Sequence, residues 1–328
     1  MAPVGLGPFS FSSQKWRCDM ISNHQADVVG DSDKLIEQAL RAAMDTALSP
    51  AAPAHLRGAL DAAVFPGGSR MRPKLCLKVS YVCGEKDPEL ATRAAAAIEL
   101  LHCASLVHDD LPCFDNAALR RGRPTVHRLF GEPIAVLTGD ALIVMAFKYL
   151  SLQAALTPEL GARMIEVVAE AVGPSHGLIA GQSMEAMTHV PIDRYHHYKT
   201  GSLFVAAATC GALASGADPA PWSKVGELLG HAYQIADDIA DTVGRAEVLG
   251  KLPAVDTQLN RPSIVRGQGL DSAAARFYAY LEQIGDTIPA SPQKRSFVDW
   301  LNHALCKGVA GPGKAGLIQQ TALDCAPL

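Results

Sequence analysis

Two short acidic clusters stand out among the residues that could do chemistry. LVHDDLPCFDNAALRRGRP carries Asp109, Asp110 and Asp115, and YQIADDIADTVG carries Asp237, Asp238 and Asp241. Each follows a long apolar stretch, an unusual place for grouped charge. At about 100° per residue, Asp237 and Asp241 lie roughly 40° apart on one helix face and can meet a common site. Asp109 and Asp115 would lie some 240° apart on a continuous helix. Pro112 stands between them, and its ring breaks the helix so that Asp115 can fold back. Two carboxylate clusters facing one cavity repel unless cations lie between them, and all-oxygen donors suit Mg²⁺, which shares its shell with waters and phosphates. Cations also follow in the sequence. Arg120, Arg121 and Arg123 come just after the first cluster, and Arg70 and Arg72 follow the glycine turn Pro66-Gly67-Gly68. Guanidinium forks match phosphate oxygens. Lys199 and Lys251 add two ammonium groups, so the chemistry suggested is binding of a diphosphate between metal and arginine.

The elements that must carry these groups read as helices. Alanine- and leucine-rich segments of helical length run over Ser32–Leu48, Pro88–Asp109, Pro133–Ala155, Pro158–Val172, Tyr195–Ser215, Pro221–Val243 and Ser272–Ile288. Asp87-Pro88 and Thr157-Pro158 place a capping residue before a proline at the first helical position. Several segments are apolar around most of their circumference, as central helices of a large bundle must be. With no strand–helix alternation and no fixed repeat, the expectation is one all-α domain over 31–328. Residues 1–30 lack a sustained period and are read as a poorly ordered tail.

Bulk properties narrow the function. The chain has 328 residues, is 48% hydrophobic and carries a formal charge of −4, which argues against a general binder of nucleic acid or anionic membrane. Its eight cysteines are scattered without CxxC pairs and no secretory leader is visible, so reduced thiols and a cytoplasmic location are expected. The longest apolar run, Pro133 to Ala146, is short and contains Asp140, so no transmembrane segment is expected. GVAGPGK at Gly308–Lys314 imitates a phosphate loop, but Ala315 stands where the Ser or Thr for magnesium belongs, and no strand precedes it.

PGGSRMRP (66–73), HDDLPCFDNAALRRGRPTVH (108–127), GLIAGQSMEA (177–186), YKTGSLF (198–204) and QIADDIADTVG (234–244) together resemble the trans-polyprenyl diphosphate synthase family. The two-residue Pro-Cys spacer is similar to that of bacterial short-chain members. Within the family the likeness is greatest to bacterial carotenoid-pathway geranylgeranyl diphosphate synthases. The resemblance implies a helical bundle of the isoprenoid synthase type with a central cavity, a homodimer, and three Mg²⁺ ions. It implies that isopentenyl diphosphate is condensed with an allylic diphosphate, farnesyl diphosphate or shorter, by ionisation, condensation and proton loss.

Carried over by residue, it gives Asp109 and Asp115 two of the ions, with Asp110 supporting, and Asp237 the third, with Asp241 nearby. Arg120, Lys199 and Lys251 would hold the allylic diphosphate; Arg72, Arg121 and His102 would hold that of isopentenyl diphosphate. Thr200 and Gln234 match polar positions beside the reacting carbons. His102 shares a helix face with Ser105 and Asp109, at i, i+3 and i+7, which supports a site role. His196 and His197 read as surface or supporting residues.

Departures from the family pattern are Ser69 for the usual lysine of the glycine turn, Asn116-Ala117-Ala118 for a more acidic stretch, and Arg261 for a loop lysine. In farnesyl-length bacterial relatives the fifth residue before the first aspartate is aromatic and forms the floor of the product tunnel. Here it is Ala104, which implies room for a C20 chain. A farnesyl diphosphate synthase, a class I terpene cyclase and a non-catalytic subunit of another synthase are the alternatives. The second aspartate motif weighs against the cyclase, and retention of both motifs weighs against the non-catalytic subunit.

Overall fold

The computed structural model describes residues 26–65, 67–154, 156–187, 190–248 and 264–309, without the side chains of 26–31, 153–154, 241, 243–248 and 306–309. Lys251, Arg261, Pro66 and residues 310–328, with most of the Gly308–Lys314 stretch, lie outside the described residues.

The described chain is helical, in the order α1 (Ala26–Ala47), α2 (Ala54–Val64), α3 (Met71–Val82), α4 (Pro88–Asp109), a two-residue hairpin β1 (Leu119–Arg120) and β2 (Arg123–Pro124), α5 (Val126–Phe130), α6 (Glu132–Ala154), α7 (Pro158–Val172), α8 (Leu178–Ser183), α9 (Ile192–His196), a π-turn (His197–Gly201), α10 (Ser202–Ala214), α11 (Pro219–Val248), α12 (Ile264–Gln268), α13 (Leu270–Thr287) and α14 (Lys294–Val309). α1 begins at Ala26, so Ala26–Gly30 belong to a helix rather than to an irregular tail. The segment read as one helix from Tyr195 is divided: a π-turn separates α9 from α10.

α4 and α10 form the centre. α4 packs on α1, α3, α6 and α10, and α10 packs on α3, α4, α7 and α11. Twelve of the thirteen residues of α10 are buried, from Ser202 to Ala214, as the apolar circumference requires. Asp87 caps α4 by accepting from the Leu90 amide at 2.9 Å, with Pro88 behind it. Thr157 precedes Pro158 in the same way but makes no side-chain cap bond.

Contrary to the expectation from the sequence, α4 and the Glu132–Leu152 part of α6 are long and apolar enough to cross a membrane by length and composition, because few charges interrupt them. α4 is largely buried in protein and is a core helix, and its Glu99 is neutralised by Arg70 inside the bundle.

That neutralisation anchors the wall of the cavity. Arg70, in the left-handed region at φ 49°, starts α3. Its guanidinium bonds to Glu99 at 2.8 Å, Glu37 at 2.9 Å and the Val64 carbonyl at 2.8 Å. It therefore ties α1, α2 and α4 together, with each of its three nitrogens engaged by protein oxygen. Removing one partner of such a pair strands the other charge. Arg70→Met is expected to lower unfolding stability by about 3–5 kcal/mol in chemical denaturation, and a loss under about 1 kcal/mol would contradict this role.

Candidate active site

α4 stops at Asp109 because Asp110-Leu111-Pro112 turns the chain. The Asp115 amide then donates to the Asp109 carbonyl at 2.9 Å. This is the fold-back that Pro112 demands, and it brings Asp109 and Asp115 to one cavity of about 430 Å³. Asp237, an exposed residue of α11, lines the same cavity. Asp241 belongs to α11, but its side chain lies outside the described residues.

The other walls bring the expected cations and polar groups together. Ser69 and Arg72 come from the turn into α3, His102 from α4, Arg120 and Arg121 from the hairpin, Lys199 and Thr200 from the π-turn, and Gln234 from α11. Arg123 sits on β2 and is not part of the lining. Ala104 is 2% exposed in the apolar core of α4, next to the cavity residue Ser105 but not itself on the wall.

Asp110, expected to support the metal ligands, turns toward the hairpin. It is off the cavity wall, and its Oδ1 accepts from Arg120 Nε at 2.9 Å and Nη2 at 2.5 Å. The helix end points it at the hairpin, so it holds Arg120 in place. Burial pushes the Asp110 carboxyl up, and the Arg120 bonds oppose that. Burial alone would lower Arg120, but Asp110 outweighs it and the guanidinium is raised.

Asp109 is 4% exposed. Burial raises its carboxyl above the usual range, against the pull of Lys199, whose Nζ is 3.2 Å away, and of Gln182, whose Nε2 donates at 2.8 Å. Gln182 also donates to the Ser105 carbonyl at 3.1 Å, which fixes its amide. Lys199 and the Tyr195 hydroxyl both donate to Glu185 Oε1. Gln182 and Glu185 lie at i and i+3 in GQSME, a spacing that could have marked them in the sequence as a pair aimed at one site. Gly181 lets this segment approach the π-turn: a Cβ there would lie 2.4 Å from the Lys199 amide nitrogen.

A second chain of bonds runs behind Thr200. Its hydroxyl donates to Gln234 Oε1 at 3.0 Å, and Gln234 Nε2 donates to Asp238 Oδ1 at 3.1 Å. Asp238 Oδ2 accepts from the Ile264 amide at 2.8 Å. Asp238 is buried and serves as an anchor that orients Gln234 and starts α12.

The basic side is short of counter-charge. Arg72 is buried, lies over the Phe204 ring at 4.7 Å, and its Nε has no hydrogen-bond partner. Burial lowers its guanidinium. His102 is pushed well below the usual imidazole range by burial and then by Arg72, Arg121, Arg120 and Arg70. It is therefore a neutral donor or acceptor here rather than a further cation. A buried arginine without a carboxylate partner is costly unless an anion meets it, which fits a diphosphate. The opposite wall of Asp109, Asp115 and Asp237 offers only carboxylate oxygens, the donor set that Mg²⁺ takes.

These charges carry a stability consequence. The folded carboxyl of Asp109 titrates above its unfolded value, so its contribution to stability is present below the unfolded value and is lost as pH rises through the folded one. At neutral pH without metal, Asp109→Asn is expected to raise the melting temperature on the order of a few °C while lowering turnover roughly 10³-fold. A lower melting temperature would show that Lys199 and Gln182 more than offset the burial.

The polyprenyl synthetase family model matches residues 53–295. Over 260 residues the chain is 45% identical to a geranylgeranyl diphosphate synthase of Cereibacter sphaeroides and 41% identical to one of Rhodobacter capsulatus, in each case with 79% of this chain and 90% of the relative aligned. A crystal structure of an FPP/GFPP synthase from Zymomonas mobilis, in its apo form, superposes with a TM-score of 0.73 at 28% identity, covering 85% of this chain and 99% of that one.

Proposed function

Because the chain belongs to the polyprenyl synthetase family, we propose that it elongates an allylic diphosphate with isopentenyl diphosphate and that its main product is geranylgeranyl diphosphate. The observation that carries this reading is the cavity itself, which Asp109, Asp115 and Asp237 line together with Arg72, Arg120 and Arg121. The C20 length draws its support from the two bacterial relatives named for that product.

Asp109, Asp115 and Asp237, with Asp241, would hold Mg²⁺, three ions in all, and the bound metal supplies positive charge for the departing diphosphate. Arg120, braced by Asp110, and Lys199, braced by Glu185, bind the allylic diphosphate together with Lys251. Arg72, Arg121 and neutral His102 receive the diphosphate of isopentenyl diphosphate, and the absence of a lysine at Ser69 leaves that subsite one charge poorer. Thr200 and Gln234 hold fixed dipoles toward the carbons where positive charge develops, and Asp238 keeps them from turning away. The cavity that receives that cation is lined by α3, α4, the hairpin, the π-turn and α11. The proton lost after condensation passes to the released diphosphate, since no side chain with a base's geometry is required.

The chain acts in the cytoplasm as a homodimer in this reading. α6 presents Val136, Leu137 and Val144 to solvent, 42%, 52% and 66% exposed, an apolar face suited to a second copy.

Incubation of the purified chain with Mg²⁺, isopentenyl diphosphate and farnesyl diphosphate, followed by sizing of the products, tests the proposal. A C20 diphosphate is expected. Failure to extend farnesyl diphosphate while geranyl diphosphate is extended would identify a farnesyl diphosphate synthase. A diphosphate-free hydrocarbon would identify a cyclase, and no turnover a non-catalytic subunit. Ala104→Tyr is expected to shift the main product from C20 to C15 with turnover largely kept. An unchanged C20 product from a folded variant would remove Ala104 as the floor, leaving only the overpacking cost of about 1–3 kcal/mol.

A further inference from the structure

The seam between the π-turn and α11 brings together three side chains that play no part in the diphosphate chemistry. Glu227 and His231 are four residues apart on α11 and share a face. His197, the first residue of the π-turn, meets them there. The potential donor atoms of all three lie within 4.8 Å of one another, and each residue is half-buried.

Backbone contact creates this convergence. A Cβ on Gly230 would lie 2.5 Å from Gly201 Cα, and one on Gly226 would lie 2.6 Å from Val205 Cα. With the two backbones touching, side chains on the flank of the seam have to meet. The His197 and His231 rings stack at 6.1 Å, and Tyr280 stacks on His231 at 5.4 Å and 15°, which restrains that ring. Glu227 engages Lys224 through Oε2 at 2.8 Å. No hydrogen bond among the described residues occupies the ring nitrogens of His197 or His231.

We propose that His197, Glu227 and His231 form a site for a borderline divalent transition-metal ion, zinc by its donor set, separate from the aspartate clusters. Two imidazoles and a carboxylate suit Zn²⁺ and leave a fourth position for water, whereas Mg²⁺ favours oxygen donors throughout. Metal–nitrogen distances of about 2.0–2.1 Å place donors roughly 3.3 Å apart, so the side chains must close by rotation about their own bonds.

The surroundings permit this. All three residues are only half-buried, so the site is open to an ion from solvent. His197 lies two residues before Lys199, and His231 three before Gln234. A bound ion would therefore staple the π-turn to α11 from behind the Thr200–Gln234 pair.

Metal-stripped protein, titrated calorimetrically with Zn²⁺ in excess Mg²⁺ to keep the carboxylate clusters filled, provides the test. Co²⁺ as the probe adds the visible absorption of a four-coordinate site. One ion per chain is expected, with Glu227→Gln and His231→Gln each weakening it by roughly tenfold or more, since even outer-shell changes cost that much. If loss of the Tyr280 stack unfolds the histidine variant, Glu227→Gln carries the test alone. Wild-type affinity in the variants, or no uptake by the wild type in excess Mg²⁺, would overturn the site.

Discussion

A carboxylate that is 4% exposed, as Asp109 is, has given up water and must be balanced by charge or by oriented dipoles. Much of the surrounding structure follows from this requirement. The helix end delivers Asp109 to the cavity, Lys199 supplies the cation, and Gln182, fixed by its bond to the Ser105 carbonyl, donates one amide hydrogen to the carboxylate. Glu185 adds a second anchor that holds the half-buried Lys199 in place beside Asp109. The π-turn is the backbone solution that aims Lys199 and Thr200 into the same cavity from successive positions.

The two walls of the cavity are unbalanced in opposite senses. Asp109, Asp115 and Asp237 accumulate negative charge on one side, and Arg72 is buried on the other without a carboxylate partner among the described residues. Such an arrangement costs stability in the empty protein and is relieved by a ligand that carries both phosphate oxygens and metal. Where balance is available, it is used for architecture: Arg70 with Glu37 and Glu99, and Arg120 with Asp110, are satisfied pairs that hold walls in place. Neighbouring arginines, Arg70 and Arg72, thus have different tasks, and burial with or without a partner separates them.

The aspartate clusters, the break at Pro112 and the helical bundle were legible from residue order because they rest on local physics. A proline cannot continue a helix, and alanine- and leucine-rich runs favour one conformation. Convergence of both clusters on one cavity followed from charge, since two such groups seldom sit at the ends of apolar helices without a shared partner. The assignment of Asp110 did not follow. Three acids within seven residues look equivalent in sequence, and which of them faces the cavity depends on where the chain turns after Asp109 and on the reach of Arg120.

The sequence by itself determined the fold class and the inventory of charged groups, because periodicity, helix stops and residue spacing act over a few positions, and its motifs carried the resemblance to the family. Tertiary structure decided how those charges pair. Asp238 appeared as one more acid of a motif until the Ile264 amide, 26 residues away, occupied its second oxygen. His102 was marked as a site residue, but burial and then the arginines around it disfavour its protonated form. Gln182 and Glu185 gained their roles when the Gly181 segment came against Lys199. Each of these depends on the distance between groups far apart in the chain. Coulomb energy and desolvation respond to that distance and to burial, neither of which residue order records.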